Sequence, residues 1–119
     1  MELTSEVLKF ILPDLLVIHF DLLKHELQNS ELHLYFEEKS KIPEEFSKEL
    51  IISHGFHRQI TIQDFPLRGK TVFLHIKRRR WLHKTTNKVV QRDWNLVAKG
   101  TRMTIEFASF LKAISQYQS

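Results

Sequence analysis

The sequence has no cysteine, which excludes disulfide bonds and thiolate metal sites and fits a protein kept in a reducing cytoplasm. It has only three glycines, Gly55, Gly69 and Gly100, too scattered for a phosphate-cradling loop. The longest apolar run, Leu15 to Phe20, is interrupted by His19. It falls far short of the roughly 20 residues that span a bilayer and lies too deep in the chain for a signal peptide. No membrane partner is expected. Aspartate is almost absent from the second half, where only Asp64 and Asp93 occur. Two-metal phosphoryl transfer needs several converging carboxylates, and no such set is visible. No nucleophile motif is recognisable either. The expectation is therefore a chain without catalytic residues and without a cofactor. Arginine is missing from residues 1–56 altogether.

That last absence is one side of a charge split. Residues 1–56 hold five lysines and eleven acids, a net charge of −6. Residues 57–119 hold six lysines, seven arginines and three acids, a net charge of +10. Such polarity suits a polyanion on one side. It equally allows the two halves to attract and partly neutralise one another. At 119 residues, 42% hydrophobic and 27% charged, the chain has the make-up of one ordinary globular domain.

Periodicity predicts an α+β domain: a small antiparallel sheet of hairpins between an N-terminal helix and a C-terminal amphipathic helix. Residues 3–12 space Leu8, Ile11 and Leu12 on one helical face, with Thr4 or Ser5 as cap. Residues 14–27 read as helix or as strand. The favoured reading is a hairpin of residues 20–27 and 31–38 around Gln28-Asn29-Ser30, approached by residues 13–19. Residues 39–56 read as a polar connection with a short helical turn after Pro43. Ile60 and Ile62, then Val72, Leu74 and Ile76, alternate as the inward faces of two strands joined by a Pro-Gly turn over Asp64 to Gly69. A regular pleat would put Thr71, Phe73, His75, Lys77, Arg79 and Trp81 on the opposite face. A further strand pair is expected at residues 79–83 and 88–94 around Thr85-Thr86-Asn87. Residues 102–117 carry Met103, Phe107, Phe110, Leu111 and Ile114 as one helical stripe. The single domain thus divides into an acidic part (1–56), a basic hairpin part (57–100) and a C-terminal helix (102–117).

The strongest functional signal is the basic-aromatic run from Lys70 to Arg102. Lys77, Arg78, Arg79, Arg80, Lys84, Lys88, Arg92 and Arg102 are candidate phosphate contacts, because closely spaced cations hold a nucleic-acid backbone and arginine adds bidentate geometry. Strand parity sends Arg78 and Arg80 to the face opposite Arg79, so a flat strand cannot use all three at once. An edge strand protected by charge is the plainer explanation, although three adjacent arginines exceed that need. Phe73, Trp81 and Trp94 are read as structural aromatics. His54, His57, His75 and His83 match no strong metal-ligand spacing, so no metal site is assigned.

The phrases ITIQDFPLRGKTVFLHIKRRRW, VVQRDWNLVAKGTRMT and EFASFLK, with YFEEK and Pro43-Glu44-Glu45 upstream, resemble the N-terminal region of a group of bacterial insertion-sequence transposases. The resemblance covers roughly residues 20–117. It implies a DNA-binding region that contacts the ends of a mobile element and docks a separate DDE-type catalytic part with an RNase H-like core. Related transposases carry a zinc ribbon at the equivalent point, built from paired cysteines on hairpins that end in a phrase like Arg79-Arg80. Here the cysteines are gone, and the resemblance implies hairpins held by packing without metal. The helix at 102–117 would match the one that leads into a helix-turn-helix. A protein-interaction module, working through that helix and the basic strand, is the alternative. The sequence does not give the oligomeric state.

Overall fold

The computed structural model describes residue 12, residues 14–94 and residues 105–115. The helix expected at residues 3–12 lies outside the described residues, apart from Leu12. Among the described residues the fold is mixed α+β with two helices and mainly antiparallel sheets. Helix α1 (Asp14–His19) leads into strand β1 (Phe20–Gln28), which turns at Asn29-Ser30 into β2 (Glu31–Glu38). The 14–27 ambiguity thus resolves as helix to His19 and strand after it. Asn29 takes φ 56°, a left-handed conformation that asparagine tolerates. A 3₁₀ turn, Glu44–Phe46, follows Pro43 as expected.

The connection read as residues 39–56 is corrected at its end, because Ile51–Phe56 is strand β3. It escapes a periodicity reading because only Ile51 is buried along it, and Gly55, at φ 73°, breaks its register. Strands β4 (Ile60–Leu67) and β5 (Lys70–Lys77) form the next hairpin. Its turn is only Arg68-Gly69, both at positive φ (48° and 77°), shorter than the Asp64–Gly69 turn expected. Then come β6 (Arg79–His83), β7 (Lys88–Val90) and helix α2 (Ile105–Ser115).

Two sheets result. One has the order β1-β2-β5-β4, the other β3-β6-β7. The first is two hairpins laid side by side, so its central pair, β2 with β5, is parallel, with Leu34 opposite Leu74. That parallel pair departs from the antiparallel sheet expected from sequence. A single long ribbon threads both sheets: Ile51 pairs with His83, Phe56 with Arg79, Ile60 with Ile76, and Leu67 with Lys70. The ribbon changes sheet at Arg78, whose carbonyl accepts the His57 N–H at 2.8 Å. The molecule is elongated, with principal extents of 50 × 27 × 24 Å.

The main core lies on one face of the four-stranded sheet. Leu32, Leu34, Phe36, Ile60, Ile62, Val72, Leu74 and Ile76 point into it, and Leu16, Phe20, Trp94, Phe110 and Ile114 cover them. The C-terminal helical stripe is therefore absorbed by the sheet at Phe110 and Ile114, both fully buried. Met103 and Arg102 lie outside the described residues.

Candidate nucleic-acid interface

The three arginines have three different environments. Arg78 occupies the residue between β5 and β6 and is buried, 5% exposed. Arg79 and Trp81 keep a common face of β6, but β6 belongs to the second sheet, so that face is not the exposed outer face expected. Trp81 becomes an inward residue of the three-stranded sheet, 2% exposed. Arg79 is half-buried and fully engaged. Its backbone N–H donates to Glu38 Oε1 at 2.9 Å, and its Nε and Nη2 donate to the Glu38 carbonyl at 3.2 and 3.1 Å. Its Nη1 donates to Ser53 Oγ at 2.6 Å, and the guanidinium lies 4.5 Å from the Phe56 ring centroid. Arg80 is half-buried and shares with Leu82 the sheet face opposite Trp81.

Glu38 holds this arrangement together. It ends β2, where its carboxylate replaces a further strand partner for Arg79. It is 1% exposed and also accepts Arg92 Nε at 3.2 Å on Oε2. Arg92 is itself 4% exposed and donates to the Lys41 carbonyl as well. Burial pushes the Glu38 carboxyl above its ordinary value, while the Arg79 N–H and the Arg92 guanidinium pull it back. The attraction between acidic and basic halves is thus realised at one buried junction between the sheets. Arg78 and Arg92, two of the candidate phosphate contacts, are buried rather than presented to solvent, and Arg79 is occupied by Glu38 and Ser53.

What remains on the surface is Lys77, Lys84 and Lys88, all exposed, and Arg80, half-exposed. Arg58, exposed between β3 and β4, joins this set, although the sequence reading did not single it out. The signal that would have found it is the distribution of acids: none occurs in residues 50–63 or 65–92. Strands β3, β6 and β7 therefore carry no carboxylate at all. Among the described residues no carboxylate pairs with Arg58, Lys77, Arg80, Lys84 or Lys88. The local potential registers at His57, whose pKa is lowered by burial first and then by the guanidiniums of Arg78 and Arg80. The β6–β7 turn bearing Lys84 and Lys88 is braced by His83. Its Nδ1 accepts the Thr86 N–H at 3.3 Å, so its Nε2 donates to Glu49 at 3.0 Å.

A second polar cluster, unforeseen from sequence, lies on the open face of the four-stranded sheet. Thr61 Oγ1 is 2.9 Å from His75 Nδ1, His75 Nε2 is 2.8 Å from His33 Nδ1, and His33 Nε2 is 3.1 Å from Glu31 Oε1. One consistent set of neutral tautomers runs each proton towards Glu31: Thr61 to His75, His75 to His33, His33 to Glu31. Burial, then His33, lowers the His75 pKa, with Glu26 opposing, which agrees with a neutral His75 ring. Phe73 and Tyr35 flank the pair: Phe73 stacks on His33 at 5.0 Å and Tyr35 on His75 at 4.5 Å. Among the described residues no group of three or more His, Asp or Glu side chains is placed to hold a metal ion. No helix among them is long and apolar enough to cross a membrane. No family model, curated protein or solved structure matches the chain.

Proposed function

We propose that this chain is the non-catalytic, DNA-binding N-terminal region of an insertion-sequence transposase, which contacts element DNA and docks a separate catalytic part. One observation supports the DNA contact above the others: a three-stranded sheet without a single acidic residue, whose surface cations have no carboxylate partner among the described residues. Such a surface is expensive to leave unneutralised and gains by displacing counterions from a phosphate backbone. Arg80, Lys84 and Lys88 of that sheet and its turn are the contacts in this reading, with Lys77 at the end of β5 and Arg58 between β3 and β4 as further cations. Arg78, Arg79 and Arg92 support the surface from beneath. The sequence resemblance supplies the biological setting.

A salt titration of duplex-DNA binding tests it. Each phosphate contact contributes about 0.9 to the slope of log affinity against log salt, so Lys84→Ala with Lys88→Ala should lower that slope by about 2. Arg92→Ala should lower stability first. No affinity at low salt, or a slope unchanged when all five cations are replaced, ends the proposal. The alternative, a protein-interaction module, no longer has the Phe110 and Ile114 stripe to work with. What favours it instead is an apolar row on the three-stranded sheet.

A further inference from the structure

The outward face of the three-stranded sheet mixes apolar and cationic side chains in a set order. Ile52 pairs with Leu82 and Leu82 with Val89, so the three form one row across the strands. Ile52 is 42% exposed and Val89 43%. The solvent face of an antiparallel sheet is ordinarily polar by alternation, so an Ile-Leu-Val row facing water calls for a partner. Arg80 precedes Leu82 on the same face of β6. The pairing runs just past the end of β6, where the Lys84 N–H donates to the Leu50 carbonyl at 2.9 Å, so Lys84 follows Leu82 on that face. The row is thus flanked by a cation on either side along β6. Strands β3, β6 and β7 and the β6–β7 turn contain no acid. Glu49, just ahead of β3, is held by His83 at 3.0 Å.

The row alone would suit a protein partner as well. Its flanks decide between the two, because neither Arg80 nor Lys84 has a carboxylate partner among the described residues. The occupant must therefore bring negative charge on both sides of an apolar strip. A duplex major groove does so: phosphates line both walls, and thymine presents its C5 methyl between them. We propose that this face is set against the major groove of DNA and that Ile52, Leu82 and Val89 lie on thymine methyl groups, giving the chain a preference for A·T-rich duplex. This rests on the DNA-binding reading above. Strands about 4.8 Å apart make the row roughly 10 Å long, or about three base pairs along a groove about 12 Å wide. Arg80 and Lys84 then reach phosphates on opposite walls. A G·C pair under the row offers donors and acceptors that these side chains leave unpaired, and no methyl in return.

Fluorescence anisotropy on the full chain tests this with three duplexes of equal length: an A·T-rich sequence, the same sequence with uracil replacing thymine, and a G·C-rich sequence. Uracil removes only the C5 methyl. Wild type should bind the thymine duplex tightest and lose about fourfold in affinity for each buried methyl removed. The salt slope should be equal for the thymine and uracil duplexes, because no phosphate contact changes. Ile52→Ser with Val89→Ser, with circular dichroism to check the fold, should bind those two duplexes alike and keep that slope, since no cation is removed. Should the pair unfold, Val89→Ser alone, on edge strand β7, should shrink the thymine-to-uracil ratio. A wild type that binds the thymine and uracil duplexes equally, with salt-dependent affinity intact, overturns this inference, leaves the DNA-binding reading standing and gives the row to a protein partner. Tighter binding to the G·C duplex, or a thymine-to-uracil ratio that survives in the folded double variant, overturns it too. No affinity for any duplex at low salt ends both readings.

Discussion

At the scale of the residue, Glu38 decides more than any of the arginines around it. Replacing it with Ala leaves the Arg92 guanidinium buried without its counter-charge, a change that typically costs about 3–5 kcal/mol. Glu38→Met with Arg92→Leu should cost less than either loss alone, because the desolvation of two charges is then avoided. Urea unfolding of Glu38→Ala, Arg92→Ala and the double variant checks the order, and a Glu38→Ala cost below about 1 kcal/mol would mean the junction is solvated. His19 gives a pH test. Burial, then Arg92, Lys41 and Lys39, lowers its pKa from 6.5 to about 4, and its ring meets Trp94 edge-on at 5.9 Å. A depressed histidine contributes stability that is present above pH 6.5 and lost as pH falls towards 4. Glu38, shifted upwards, acts in the opposite sense, so the comparison must be with a variant at position 19. Between neutral and mildly acid pH, wild type should lose on the order of 2 kcal/mol more than His19→Asn. Parallel stability curves for the two proteins would refute the assignment. None of this is legible in the sequence, since nothing local distinguishes Glu38 from Glu37. Only the end of β2 against Arg79 does.

At the scale of the element, the alternating strands were legible and the joints were not. Ile60, Ile62, Val72, Leu74 and Ile76 announce β4 and β5 because one face is buried and parity is fixed. The β4–β5 turn puts Arg68 at φ 48° beside Gly69, where a side chain is strained. Arg68→Gly should relieve roughly 1 kcal/mol of that strain, measured by thermal unfolding, and a destabilised variant would show that the Arg68 side chain contributes more than its backbone costs. The helix stripe was also legible, but not its target. Phe110→Ala should cost about 3–5 kcal/mol, since its side chain is fully enclosed against the sheet. A cost below about 1 kcal/mol would mean the helix packs loosely. Strand β3 was missed because a strand with only one buried position shows no periodicity. Arg79 and Trp81 share a face as alternation requires, but Arg78 sits between strands of different sheets, and Trp81 turns into the interior of the smaller one.

At the scale of the whole molecule, the two sheets have separate interiors joined by the long ribbon and the Glu38 junction. Trp94 belongs to the main core, whereas Trp81 belongs to the smaller sheet. Trp94→Ala should therefore unfold the chain as a unit. Trp81→Ala should first expose the amides of β3, β6 and β7 to hydrogen exchange, while the four-stranded sheet stays protected. Uniform loss of protection in Trp81→Ala would show one cooperative unit instead. The sequence by itself determined the α+β class, most strands, the charge split and the acid-free stretches, because these follow from alternation and composition along the chain. Tertiary structure alone decided the parallel pairing of β2 with β5, the division into two sheets and which cations reach solvent. Those depend on contacts between residues some forty positions apart, such as Glu38 with Arg79 and His33 with His75. The run of three arginines that dominates the sequence becomes one buried residue, one clamp and one surface cation, because a chain crossing between sheets points successive side chains into three different environments.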